Sequence, residues 1–188
     1  MPFVVRHFLN SIFMKYLLTI FFNFLAFFST AQIEQADSIS LNIAEKQGTE
    51  MAKLLLAKDY KAFAKYTYKS ILDMAGGEEK MIELIKQSFD QMETEGYSFI
   101  NFTIEKPLTI IHFNNTLQCA LTENIEMKVP KGRLTTKSTL IGISEDSGQN
   151  WTFIDTHGAN LKTLQETISG LSNNLIIPEK QQPVFFKE

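Results

Sequence analysis

The chain has 188 residues, 18 of them basic and 21 acidic, and its single cysteine, Cys119, excludes an internal disulfide and a multi-cysteine metal site. Eight of the 16 phenylalanines precede residue 32 and no Asp or Glu occurs before Glu34, so the remainder must be read separately. Without Arg6 and Lys15 it carries 16 basic against 21 acidic residues, a net charge of about −5, which argues against nucleic acid and anionic membrane surfaces as partners.

Met14 to Gln32, MKYLLTIFFNFLAFFSTAQ, has the layout of a bacterial secretory signal peptide. Lys15 supplies the positive start. Tyr16 to Phe28 supply 13 mostly apolar residues, too few to span a bilayer. Ser29-Thr30-Ala31 offers small residues three and one before a cut, so cleavage is expected to leave Gln32 first. No Cys follows, so a lipid anchor is not supported. Translation is expected to start at Met14; the alternative is a long leader that includes Arg6 and His7. An uncleaved anchor would be the one route to a membrane, and Asn23 in mid-run weighs against it. The expectation is an exported protein, periplasmic or secreted. Its organisation is a leader over 1–31, one domain over 32–177, and a polar tail with two prolines over 178–188, expected to be loose.

Asp37 to Lys58 reads as the first helix, with Ile39, Ile43, Gln47, Met51, Leu54 and Leu55 as one stripe and Gly48 as a place for close approach. Asp59 can cap a short second helix, Tyr60 to Thr67. Lys69 to Ala75 loses periodicity and ends in the turn signal Gly76-Gly77. Glu78 to Glu95 is the next helix, with Met81, Ile85, Phe89 and Met92 as its stripe and Gly96 as its stop. Phe89 is expected to be buried against the sheet.

At Tyr97 the period changes from 3.6 to 2. Ile100, Phe102 and Ile104 alternate with polar residues, and Pro107 marks a bend or an edge. Leu108 to Phe113 is read as extended. Leu117 to Val129 is the longest alternation, and Pro130-Lys131-Gly132 turns it back. Leu134 to Ser144 and Trp151 to Thr156 follow. Asn160 can cap a last helix with Leu161, Leu164, Ile168 and Leu171 as its stripe. Helices first and a meander after them make an α+β order: N-terminal helices packed on a curved antiparallel sheet, with a short C-terminal helix.

Over roughly Ile39 to Thr156 the chain resembles the nuclear-transport-factor-2-like superfamily, whose cystatin-like cone is shared with polyketide cyclases, ketosteroid isomerase and scytalone dehydratase. The marks are Ala57-Lys58-Asp59-Tyr60-Lys61-Ala62-Phe63, the Gly76-Gly77 turn, and Trp151-Thr152-Phe153-Ile154-Asp155. The resemblance implies a pocket between three helices and the sheet. The superfamily holds enzymes and non-catalytic members, so it does not by itself give a function.

Several constellations bear on chemistry. Ser144-Glu145-Asp146-Ser147-Gly148-Gln149-Asn150-Trp151 matches the Asp-box hairpin of sialidases, but one box on a short chain reads as a tight turn. Glu123 shares strand parity with six apolar residues. An unbroken strand would bury it with a raised pKa, ready for acid–base work; a bulge near Thr122 to Asn124, the favoured geometry, would turn it outward. Asp155 and His157 share parity with Trp151 and Phe153. They can form an acid–base pair, or, as favoured, Asp155 tethers the next turn and His157 is solvated. His112 is expected to be partly buried and satisfied, and Cys119 to act as a small hydrophobe. No metal site or cofactor is predicted.

The candidate pocket residues are therefore Glu123, Trp151, Phe153, Asp155 and His157. The expected function is non-catalytic binding of a small apolar ligand or a protein partner on the concave sheet face. The alternative is a small acid–base enzyme of isomerase, dehydratase or cyclase type.

Overall fold

The computed structural model describes residues 34–187. It divides between Ser38 and Ile39 into two compact units. Of the first unit only residues 34–38 are described, and they are helical. The leader, its cleavage site and the start at Met14 lie outside the described residues.

The second unit is an α+β domain. Helix α1 covers residues 39–56, followed by α2 (Tyr60–Ala64), α3 (Lys69–Ala75) and α4 (Glu78–Thr94). Then come strands β1 (Ser98–Ile104), β2 (Ile111–Phe113), β3 (Thr116–Val129), β4 (Gly132–Ser144) and β5 (Thr152–Asp155), helix α5 (Leu161–Thr167) and strand β6 (Val184–Lys187). Asp59 caps α2 by accepting from the Ala62 N–H, and Asn160 caps α5 by accepting from Thr163.

The sheet is antiparallel and open. β3 is its spine. β1 and β2 pair along one edge of it, and β4 pairs along the other without interruption from Leu117↔Ser144 to Val129↔Gly132. The far edge of β4 carries two strands in one lane, β5 opposite Leu140–Ile143 and β6 opposite Gly132–Thr135. Residues 66–68 extend the sheet past β5: Tyr66 accepts from the Phe153 N–H and Phe153 accepts from the Tyr68 N–H.

Strand alternation divides the core. Cys119, Leu121, Leu140, Trp151 and Phe153 face α1 with Phe102 and Ile104. Ile141, Ile143 and Ile154 point the other way, against Leu164, Ile168, Leu171 and Leu175. The chain after α5 is pinned there by Gln118, which is fully buried. Its amide donates to the Gly170 carbonyl at 2.7 Å and accepts from the Ser172 N–H at 2.9 Å.

Some sequence expectations need correction. The buried stripe of α1 is not the bulky one: Ile39 is exposed, and Ser40, Ala44, Gly48, Met51 and Ala52 face the sheet. Small residues let the helix come close; a Cβ on Gly48 would lie 3.3 Å from Ile104 Cγ2. Lys69–Ala75 is helical despite its weak periodicity, because Tyr68 and Ile71 pack on the far side of the sheet. Helix α4 has no fully buried residue. It leans on α2, α3 and the start of β1, so Phe89 is only half-buried, ringed by Tyr60 and Phe99. Leu108 is 97% exposed and precedes β2 rather than joining it. His112 lies on the exposed side of β2. The tail expected to be loose instead supplies β6.

Candidate functional site

The lane that β5 and β6 share is interrupted. Asp155 pairs with Leu140, and Thr156 donates its N–H to the Thr139 carbonyl at 3.0 Å. His157 then takes φ 49°, turning the chain off the sheet toward α5. The lane resumes only at Val184, opposite Thr135. Among the described residues, no strand lies beside Thr136, Lys137 and Ser138 on this edge.

Backbone direction alternates along a strand. Thr139 offers its carbonyl to β5, so the odd-numbered residues of β4 aim both backbone polar groups at the outer lane. Of Arg133, Thr135, Lys137, Thr139, Ile141 and Ile143, only Lys137 has no lane partner. Its N–H and C=O open into a cavity of about 410 Å³. It is lined by Thr122, Ile125, Thr136, Ser138, Thr139, Asp155 and His157, and by Pro178 to Gln181 and Pro183 of the segment before β6, here called the strap. Lys180 secures the strap by lying over Gly158, where a Cβ would come within 2.5 Å of its side chain. A second hollow, about 360 Å³, is lined by Asn101, Thr103, Asn124, Thr135, Gln181 and Gln182 and shares Ile125, Thr136, Lys137 and Gln181 with the first.

Asp155 organises the rim. Its Oδ1 accepts from Ser138 Oγ at 2.9 Å and from the His157 N–H at 2.8 Å, and its Oδ2 stands 3.1 Å from His157 Nδ1. This satisfies the reading of Asp155 as a tether for the turn, and His157 is largely solvated. Asp155 and His157 are brought together at the cavity.

The remaining candidates stand elsewhere. Trp151 and Phe153 are core residues under α1, and neither lines this cavity. Glu123 is 5% exposed. The favoured bulge at Thr122–Asn124 is absent: the register Leu121↔Leu140, Thr122↔Thr139, Glu123↔Ser138, Asn124↔Lys137 is continuous. The sheet takes its irregularity in β1 instead, between Phe99 and Asn101, which leaves β3 straight and drives Glu123 inward. It therefore sits on the α1 face between Ile104 and Ser138, on the same face as Asp155. Burial pushes its carboxyl up to about 8, and the charge of Asp155 adds to the rise.

The Asp-box segment is structural. Asp146 Oδ1 accepts from the N–H groups of Gln149 and Asn150 and from Ser144 Oγ. These hydrogen bonds, that from the Asn150 amide foremost, hold its carboxyl below the usual range. Trp151 Nε1 donates to the Gly148 carbonyl at 3.1 Å, and Gln47 joins α1 to this turn through the Trp151 N–H. Cys119 is fully buried and its thiol is pushed up to about 12 by burial, which leaves it a packing residue.

No protein-family model matches the chain, and no curated protein does. Among the described residues no three His, Cys, Asp or Glu side chains are grouped to hold a metal, and no helix is long and apolar enough to cross a membrane. Sequence reading missed Ser138, the backbone of Lys137 and the strap. The available signal was Pro178 and Pro183 bracketing a polar stretch before the apolar Val184-Phe185-Phe186.

Proposed function

We propose that this chain is an exported, non-catalytic binding module that holds a small ligand in the slot between β5 and β6. One observation carries the reading: a strand lane stops and restarts in line, leaving a cavity of about 410 Å³ lined by both apolar and polar groups. Cavities of this size with a few convergent polar groups are the usual small-molecule sites. Export rests on the signal-like segment at Met14–Ala31. The order of helices before sheet supports placing the domain with the nuclear-transport-factor-2-like cones, whose non-catalytic members make a binding role familiar. A fragment screen followed by amide chemical shifts tests the site. Hits should perturb residues 136–139 and 155–158 together; hits scattered elsewhere would remove the slot from consideration.

A second reading has its own observation. A buried carboxyl held protonated near neutral pH, facing the same way as Asp155, is the equipment of an acid–base enzyme. If that reading holds, Glu123→Gln abolishes turnover of a bound substrate while leaving its affinity unchanged.

A further inference from the structure

We propose that the slot takes a three-residue peptide stretch whose central residue lies in the lane and exchanges N–H and C=O with the backbone of Lys137. This rests on the slot being the ligand site and names the chemistry of the ligand. The gap covers three positions, opposite Thr136, Lys137 and Ser138, about 10 Å at the usual strand rise; His157 and Pro183 are bonded to its two ends, so only the central residue of a peptide lies fully in the lane and its neighbours bend out of it. Its one unmatched donor and one unmatched acceptor lie on the same residue and point the same way. Only a group carrying both at strand spacing satisfies them together, and an antiparallel peptide residue does so. β5 and β6 already run antiparallel to β4 on either side, so a peptide entering in that direction continues a ladder already twisted to fit it.

That direction also fixes the side chains. The first residue leaves the lane at the Ser138 end, beside Ser138 Oγ and the Asp155 carboxylate, which are held together. A cationic or donor side chain is favoured there. The second keeps to the lane, with its side chain beside Thr139 and Thr122. The third leaves toward Thr136 and Ile125, where a small apolar group fits.

The chain holds its own competitor. If β6 were prolonged, Gln182 would fall opposite Lys137 and Pro183 opposite Thr136, a position whose lane partner needs no N–H toward β4. The ladder stops at Val184 instead, and both hollows are lined by Lys137 together with strap residues.

The probe is acetyl-Lys-Ala-Ala-amide, titrated into the full domain while amide shifts and hydrogen exchange are followed. The Lys137 amide should shift downfield and exchange more slowly. The same peptide N-methylated at its central alanine should bind about tenfold more weakly, since it loses the donor for the Lys137 carbonyl. Acetyl-Glu-Ala-Ala-amide should also be weaker. Peptide shifts at residues 155–158 with the Lys137 amide unmoved would overturn the lane pairing while leaving the slot as a site. Fragment hits in the slot with no peptide binding would do the same. Silence from every ligand would remove both proposals. A Lys137 amide already protected without peptide, and released by Gln182→Pro, would mean that the tail fills the lane, and would also overturn the inference.

Discussion

The two halves of β4 are built to opposite purposes. From Thr139 to Ser144 every residue is buried, because α1 covers one face and the chain after α5 covers the other. From Arg133 to Ser138 none is fully buried, and the lane beside it is broken. One strand thus provides both scaffold and opening. The register of the open half is fixed by the packed half, since a one-residue slip would turn Ile141 and Ile143 into the wrong core. The open edge can therefore be polar and incomplete without losing its place.

The packed half should be the easier to break. Gly148 closes the turn beyond it at φ 86°, and a Cβ there would lie 2.2 Å from Ser40 Oγ on α1. Gly148→Val combines that clash with a left-handed backbone that β-branched residues resist, and should cost about 5 kcal/mol. Urea unfolding measures it. An unchanged midpoint would mean that α1 does not seat on this hairpin.

Glu123 lies where the two halves meet. Its folded pKa is raised to about 8 from a value near 4.5, so the folded state binds the extra proton between those limits. The stability it contributes is fully present below pH 4.5 and is lost as the pH rises toward and through 8. The loss amounts to about 5 kcal/mol. Glu123→Gln should leave stability unchanged at pH 4.5, raise it by a similar amount at pH 8, and flatten the slope between. A parallel pH dependence in both proteins would show that Glu123 is not the group responsible.

Smaller effects separate the two sides of the packed half. Gln118→Leu leaves the Gly170 carbonyl and the Ser172 N–H without partners on the α5 side, and should cost about 1–3 kcal/mol by thermal melting. Phe89→Ala, on the half-buried α4, should cost about 1–2 kcal/mol rather than the 3–5 typical of a buried ring. A loss of about 3–5 kcal/mol at Phe89 would contradict the peripheral place of α4.

Much of the packed half was legible because it obeys periodicity. The alternation Leu117, Cys119, Leu121 gave β3, the caps Asp59 and Asn160 gave α2 and α5, and Asp146 with Gly148 gave the turn. The side chain of Glu123 was read with the right parity, but its direction hung on a bulge, and a bulge displaced from β3 into β1 leaves no mark in composition. The faces of α1 were misjudged because a close-packed stripe of Ser40, Ala44 and Gly48 carries little hydrophobicity. The open half was hardest to read. Lys137 looks like any exposed lysine, and its significance lies in two backbone groups that no residue type announces. Nor does the sequence say that Val184 returns to the lane left at Thr156, a pairing across the whole α5 excursion.

That last distinction gives the smallest and sharpest prediction. The Lys137 side chain pairs with Glu105 at 3.5 Å in a half-exposed ion pair. Lys137→Ala should therefore change stability by no more than about 0.5 kcal/mol. It should leave affinity for the blocked tripeptide within about twofold, because the peptide meets N–H and C=O groups that alanine also carries. Lys137→Pro, by contrast, deletes the N–H at the centre of the gap and should abolish the peptide-induced shifts at residues 155–158. If alanine were as damaging as proline, the ammonium group would be the contact. The open half of β4 would then be a charged surface rather than an unfinished strand.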